Sequence, residues 1–369
     1  MQYAFKNRIL SVFFTAFDTL GALPFFYLRF KPAPLSPKRI LVVRLDHIGD
    51  FIATTPVIRA LKERFPAASI VVAVNPALSA FAKTYPYIDE ILEFDAAWFK
   101  RPKVGVRWAD VSDLAARLKK GAFELAVDPR GDFFSICALF LAGIPFRIGY
   151  GITGAGFLLH RQARIDPAAG VIERNLAVLA VLPGLIDITA QLPDVFFTPT
   201  DQAKVEKLLL DKKASVAAAI VLHPFAGTRA KQWPLDSFQR LIDVLHGQGR
   251  VIFVVGTKKD THAFNNTVDL RGQLSLNELS FLIKRSGLFV GLDSGPAHIA
   301  IATKTASVII CSGTNRPELW LPKAPFAKLL YHNVHCKPCG LVVCPEPKHY
   351  CMEAVSVEEV VMKINSLKY

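Results

Sequence analysis

Three short stretches carry residue types that can do chemistry on a charged substrate. Asp293-Ser294-Gly295-Pro296-Ala297-His298 follows an apolar run and opens a helical one, Ala297–Thr303. Asp293 or Ser294 can cap such a helix, Gly295 lets backbone approach a ligand, and Pro296 suits the first turn. Free N–H groups and the positive end of the helix dipole then suit a diphosphate. His223-Pro224-Phe225-Ala226-Gly227-Thr228 is a second such loop, and Lys231, just beyond it, can meet a leaving phosphate as a point charge. In Arg44-Leu45-Asp46-His47-Ile48-Gly49-Asp50 the last carboxylate stands at a helix start. The dipole there favours its ionised form, which can take a proton from an acceptor hydroxyl. His47 is a second candidate for that base. Each stretch also has a plainer reading: a well-capped helix, a solvated lysine, an N-cap aspartate.

Three further features are weaker. Cys336, Cys339, Cys344 and Cys351, with His332, His335 and His349 nearby, are dense enough for a structural zinc, although their spacing is not that of paired knuckles. The alternative is a compact loop, reduced or disulfide-bonded. Gly149-Tyr150-Gly151-Ile152-Thr153-Gly154 matches G-x-G-x-x-G by letter, but no amphipathic helix follows, so it reads as a flexible loop. Lys100-Arg101-Pro102-Lys103, with Arg107, is either a solvated face or a contact for an acidic acceptor.

The elements that must position these residues come in two series. Ile40–Val43, Ile70–Val74, Glu90–Phe94, Leu125–Asp128 and Arg147–Tyr150 read as short strands between helical stretches, including Ile52–Phe65 with Pro56 inside its first turns. After a break near Pro193–Pro199 the alternation restarts with Ala219–Leu222, the helix Ser237–Gln248, Val251–Val255, Leu288–Gly291 and Ala306–Ile310. Strands alternating with helices imply parallel sheets, with ligands at the carboxyl ends of the strands. The expected plan is an extension over 1–38 and two doubly wound domains, 39–195 and 196–369, facing a central cleft.

In the extension, residues 9–28 are apolar but broken by Asp18, Gly21 and Pro24, with Lys6 and Arg8 before and Arg29 and Lys31 after. An interfacial membrane helix, a helix packed on the protein's own body, and a signal or span all fit this pattern. Composition excludes disorder and disulfide scaffolds: 51% of the 369 residues are hydrophobic and only six are cysteine. With 44 Lys and Arg against 31 Asp and Glu, a net +13, the chain favours acidic partners. It carries no nucleic-acid module.

Taken together, the Arg44–Asp50 stretch with Thr55-Pro56 and Leu61-Lys62, His223-Pro224 through Lys231-Gln232-Trp233-Pro234, and Asp293–His298 resemble the signatures of the lipopolysaccharide heptosyltransferase family, glycosyltransferase family 9. The resemblance implies a GT-B fold, two Rossmann-like domains. It also implies inverting, metal-independent transfer of heptose from ADP-heptose to an acidic lipid-linked core saccharide, without a cofactor, at the inner face of the cytoplasmic membrane. On that basis Asp50 is the base and Lys231 meets the donor phosphates. The donor is held by His223, Gly227, Thr228, Gly256, Asp293, Ser294, Gly295 and His298, with Asp260 at the ribose. The acceptor is expected at Arg44, Asp46, His47, Lys100, Arg101, Lys103 and Arg130. Phe225 stands where the family commonly has glycine. The alternatives are a transferase or epimerase using another nucleotide sugar, and an inert nucleotide-sugar-binding partner on the membrane.

Overall fold

The computed structural model describes residues 8–100, 105–184, 192–212, 219–322 and 324–367. The chain forms two compact units that part at Leu192. In the first, β1 (Arg39–Arg44), β2 (Ser69–Val74), β3 (Glu90–Glu93), β4 (Leu125–Asp128), β5 (Phe146–Gly149) and β6 (Arg161–Gln162) form one sheet in the order β3-β2-β1-β4-β5-β6. Every pairing is parallel. β1, β2 and β4 are buried almost throughout, which is why they read as unbroken apolar runs rather than as alternation.

The second unit repeats this winding. β7 (Ile220–His223), β8 (Ile252–Val254), β9 (Val268–Asp269), β10 (Leu288–Leu292), β11 (Ser307–Ile310) and β12 (Ala327–Leu330) pair in parallel in the order β12-β11-β10-β7-β8-β9. Both are the Rossmann order, and in both the winding reverses beside the first strand: between β1 and β4, and between β7 and β10. Each unit has its own core, around Leu41, Val71 and Leu114 in the first and Leu222, Phe238 and Val290 in the second.

Some expectations change. The helix expected over Ile52–Phe65 is two helices, Ile48–Ile52 and Thr55–Arg64. Pro56 has no N–H to donate to a preceding turn, so it sits in the first turn of the second helix instead of inside a longer one. The G-x-G-x-x-G loop is a seat for the N-terminal helix. Gly149 ends β5 where a Cβ would meet Asp128 O at 2.6 Å, and Gly154, at φ +101°, leaves room for the Phe14 ring.

That N-terminal helix spans Arg8–Phe25 and packs on the first unit. Phe14 and Phe17 meet Phe133, Phe17 and Phe25 meet Phe157, and Phe25 meets Phe140, with ring centroids 5.3–6.1 Å apart. The residues that interrupt the apolar run make the docking possible. Asp18 is buried and accepts the Ala155 N–H at 2.8 Å, while a Cβ at Gly21 would overlap the Phe157 ring. Among the described residues no helix is long and apolar enough to cross a membrane.

Candidate functional site

Residues at the two switch points come from the loops that leave β1, β4, β7 and β10. In the second unit the register puts His223, the last residue of β7, beside Gly291 of β10. The chain then turns through Asp293 into the helix Gly295–Ala302. Neither Asp293 nor Ser294 caps that helix, as the sequence allowed. Ser294 Oγ instead donates to Leu292 O at 3.0 Å and lies 3.1 Å from His223 Nδ1. Burial pushes His223 down to about 4, so its ring is neutral at physiological pH.

Asp293 is the hub of this site. Its Oδ2 takes Lys231 Nζ at 2.7 Å and Asn315 Nδ2 at 3.1 Å. Burial works to raise the Asp293 pKa, but Lys231 and the nearby His298, then the two hydrogen bonds, hold it below the usual carboxylate range. His298 is itself buried, and its pKa is lowered chiefly for that reason. The Lys231 side chain stays 26% exposed while its ammonium is held by the Asp293 carboxylate. Gln232 braces the same loop: its Nε2 donates to Pro224 O and Trp233 O, and its Oε1 accepts the Ala226 N–H.

Of the other expected donor residues, Gly227 is exposed with open space around it, and Thr228 precedes the short helix Arg229–Lys231. Asp260 Oδ2 accepts from Thr257 N and Oγ1, closing the turn after β8. Phe225 is buried against Gly256, where an added Cβ would lie 2.9 Å from its ring, with Arg271 above it at 5.9 Å. It is a wall of the loop.

In the first unit Asp46 is buried between two arginines, Arg44 at 3.5 Å and Arg130 at 2.6 Å. Arg44 is also buried; its Nε donates to Asp50 O at 3.0 Å and its Nη2 to Asn175 Oδ1 at 3.4 Å. Arg44 and Asp46 therefore hold the loop that carries Asp50, whereas Arg130 keeps 43% of its side chain exposed and lies over the Phe99 ring. Burial opposes the Arg130 charge, but Asp46, Asp50 and Asp132 outweigh it and raise its pKa. Asp50 lies in the first turn of a five-residue helix, half-buried, and His47 is exposed. The Asp50 carboxylate acts on the Arg130 charge and stands in the first turn of a short helix dipole. Lys100 pairs with Asp95 at 2.6 Å, and Arg101 and Lys103 lie outside the described residues.

Asn315 and Asn175 were not foreseen, and Gln232 and Asp128, although they lie in a signature and at a strand end, were given no role. Asp128 and Asn315 both had a positional cue, since Asp128 ends β4 and Asn315 follows the carboxyl end of β11. The cysteine run is not gathered as a zinc site: among the described residues no three His, Cys, Asp or Glu side chains are grouped to hold a metal ion. All four cysteines are thiols, and Cys351 is buried on the helix Tyr350–Glu353, where burial first, and then the nearby Cys336, Cys344 and Cys339, raise its pKa.

The family model for glycosyltransferase family 9 (heptosyltransferase) matches residues 111–349. Lipopolysaccharide heptosyltransferase 3 of Escherichia coli is 27% identical over 292 residues, covering 74% of this chain and 83% of the relative. Among solved structures, a glycosyl transferase family 9 protein from Veillonella parvula superposes with a TM-score of 0.74 at 18% identity, over 90% of this chain and 97% of that one. The E. coli ADP-heptose lps heptosyltransferase II superposes with a TM-score of 0.71 at 20% identity, over 89% and 98%. These structures share the two-sheet GT-B fold.

Proposed function

The chain belongs to glycosyltransferase family 9, and from that premise we propose that it moves heptose from ADP-heptose to an acidic, lipid-linked core saccharide in lipopolysaccharide synthesis. The observation that carries this reading is the Lys231–Asp293 pair at the β7/β10 switch point, beside the N-terminus of the helix Gly295–Ala302. A fixed cation and the positive end of a helix suit a nucleotide diphosphate.

In this reading the second unit holds the donor and the first holds the acceptor. The acceptor hydroxyl gives its proton to Asp50 as its oxygen bonds to the anomeric carbon. The bond from that carbon to the diphosphate oxygen breaks on the opposite face, and its electron pair leaves with the diphosphate. Configuration is therefore inverted. Lys231 and the first N–H groups of the helix meet the new negative charge, the role that a metal ion fills in other transferases. Arg130, exposed and fixed by Asp46, suits a phosphate on the acceptor. A nucleotide-sugar donor places the reaction on the cytoplasmic side, with the enzyme peripheral to the membrane that holds the acceptor.

Calorimetric titration with ADP, UDP, GDP and CMP, on the natural chain and on Lys231→Ala, tests the donor side. Preference for ADP, lost in the variant, is the expected result. Preference for UDP or GDP would keep a glycosyltransferase and discard heptose. Asp50→Asn should bind ADP unchanged yet transfer about 10²- to 10⁴-fold more slowly, and a chelator should leave transfer intact.

A further inference from the structure

The N-terminal helix has two apolar faces, and the packing described above uses one. Phe14, Phe17, Asp18, Gly21 and Phe25 recur every three or four residues and face the body. On the other side Val12, Phe13, Leu20, Leu23, Tyr27 and Phe30 are exposed, Leu23 by 76% and Phe30 by 71%. A helix that is apolar all round is a buried helix. A row this long on one exposed face marks a surface that something covers.

What lies next to the row says what covers it. From Thr19 to Leu45 the chain has no acidic residue, and Arg29, Lys31 and Lys38 follow the aromatics. Arg29 stacks on Phe26 and lines a pocket of about 650 Å³ with Arg161 and Arg164. All three charged side chains lining that pocket are cationic. Arg161 is tied to the foot of the extension through a bond to Lys31 O at 3.2 Å. His160, in the same pocket wall, is 2% exposed. Burial, then Arg147, Lys31 and Arg161, push its pKa to about 3. Its Nδ1 accepts the Arg147 N–H, so the proton is on Nε2, which has no partner. The pocket is thus rich in donors and cations. A second copy of the chain set face to face on this row would bring like charges together.

We propose that the outer face of the helix Arg8–Phe25, with the aromatic turn Phe26–Phe30, lies in the surface of an anionic bilayer, and that the Arg29–Arg161–Arg164 pocket receives a lipid phosphate. The apolar side chains enter the acyl boundary, and the arginines stand at headgroup level. Because the inner face stays fixed to the first unit, the surface holds that unit against the membrane. The proposal deepens the reading of a lipid-linked acceptor, but it is tested without donor or acceptor, so the two can fail separately.

The test is sedimentation of the full chain with phosphatidylcholine vesicles, with and without phosphatidylglycerol, at low and high salt. Binding should need the anionic lipid and weaken with salt. Leu23→Glu with Phe30→Glu should lower affinity about tenfold or more. Arg29→Gln with Arg164→Gln should lower it about fivefold per charge. All four positions are exposed, and an unchanged unfolding curve confirms that each variant is folded. Equal binding to uncharged vesicles, or variants that bind like the natural chain, would overturn the proposal. So would a dimer in solution that Leu23→Glu with Phe30→Glu converts to monomer, which would give this face to a second copy.

Discussion

Asp128 is a carboxylate whose charge works against the fold. It ends β4 at 1% exposure, where Oδ1 accepts the N–H groups of Arg130 and Gly131 and Oδ2 has no partner. Burial above all, helped by Asp132, raises its pKa from 3.8 to about 7 against those two N–H groups and Arg44. The folded state therefore binds more protons than the unfolded one between those values. Stability contributed by Asp128 is present at low pH and falls as pH climbs from about 4 to about 7, by at most about 4 kcal/mol. Asp128→Asn keeps the accepting oxygen and should flatten the slope of urea-unfolding free energy over that window. Part of the slope should survive through Asp132, whose pKa burial also raises. A variant with the full natural slope would assign the titration to other groups. The place of Asp128 at the end of an apolar strand was legible, but its burial was not, because burial depends on packing from elsewhere in the chain. His223 and Asp293 were legible because each stands at the end of an apolar strand, where ligands bind in such sheets, and Lys231 because it closes the loop after β7.

At the scale of elements, the long buried strands were legible from their apolar runs, and the short ones were not. β6 and β9 have two residues each, too few to show a period, and β12 is an edge strand with three of its four residues half-buried. The N-terminal helix was visible as an apolar run, but its packing was not. The partners of Phe14, Phe17 and Phe25 lie more than a hundred residues away. Asp18 looked like a defect in that run and is a docking contact. Its replacement by alanine leaves the buried Ala155 N–H without this acceptor, which costs about 1–3 kcal/mol. Asp18→Ala should lower the urea-unfolding free energy by that amount and make the helix more sensitive to limited proteolysis. Leu23→Ala, on the outer face, should change neither. Equal effects from the two would mean that the helix is held by general apolar burial, not by a specified inner face.

At the scale of the molecule, the chain is two windings of one plan, each with its own sheet and core. The expected cleft residues divide accordingly. His223, Lys231, Asp293, Ser294 and Asn315 are bonded to one another or to β10, all within the second unit. If these residues hold the nucleotide, ADP binding is a property of that unit and stabilises it selectively. At a hundred times its dissociation constant, ADP adds about 2.7 kcal/mol to the state it binds. Amides of β7, β10 and the helix Gly295–Ala302 that exchange by unfolding of the unit should then exchange about a hundredfold more slowly with ADP. Amides of β1 and β4 should keep their rates. Asp50→Asn should leave this pattern intact, and Lys231→Ala should erase it. Equal protection of β1 and β4 would mean that the nucleotide is held by both units at once, and the assignment of the donor to the second alone would fall. Protection confined to the second unit leaves Asp50 and Arg130 for the acceptor, so an acceptor analogue should then slow exchange in β1 and β4.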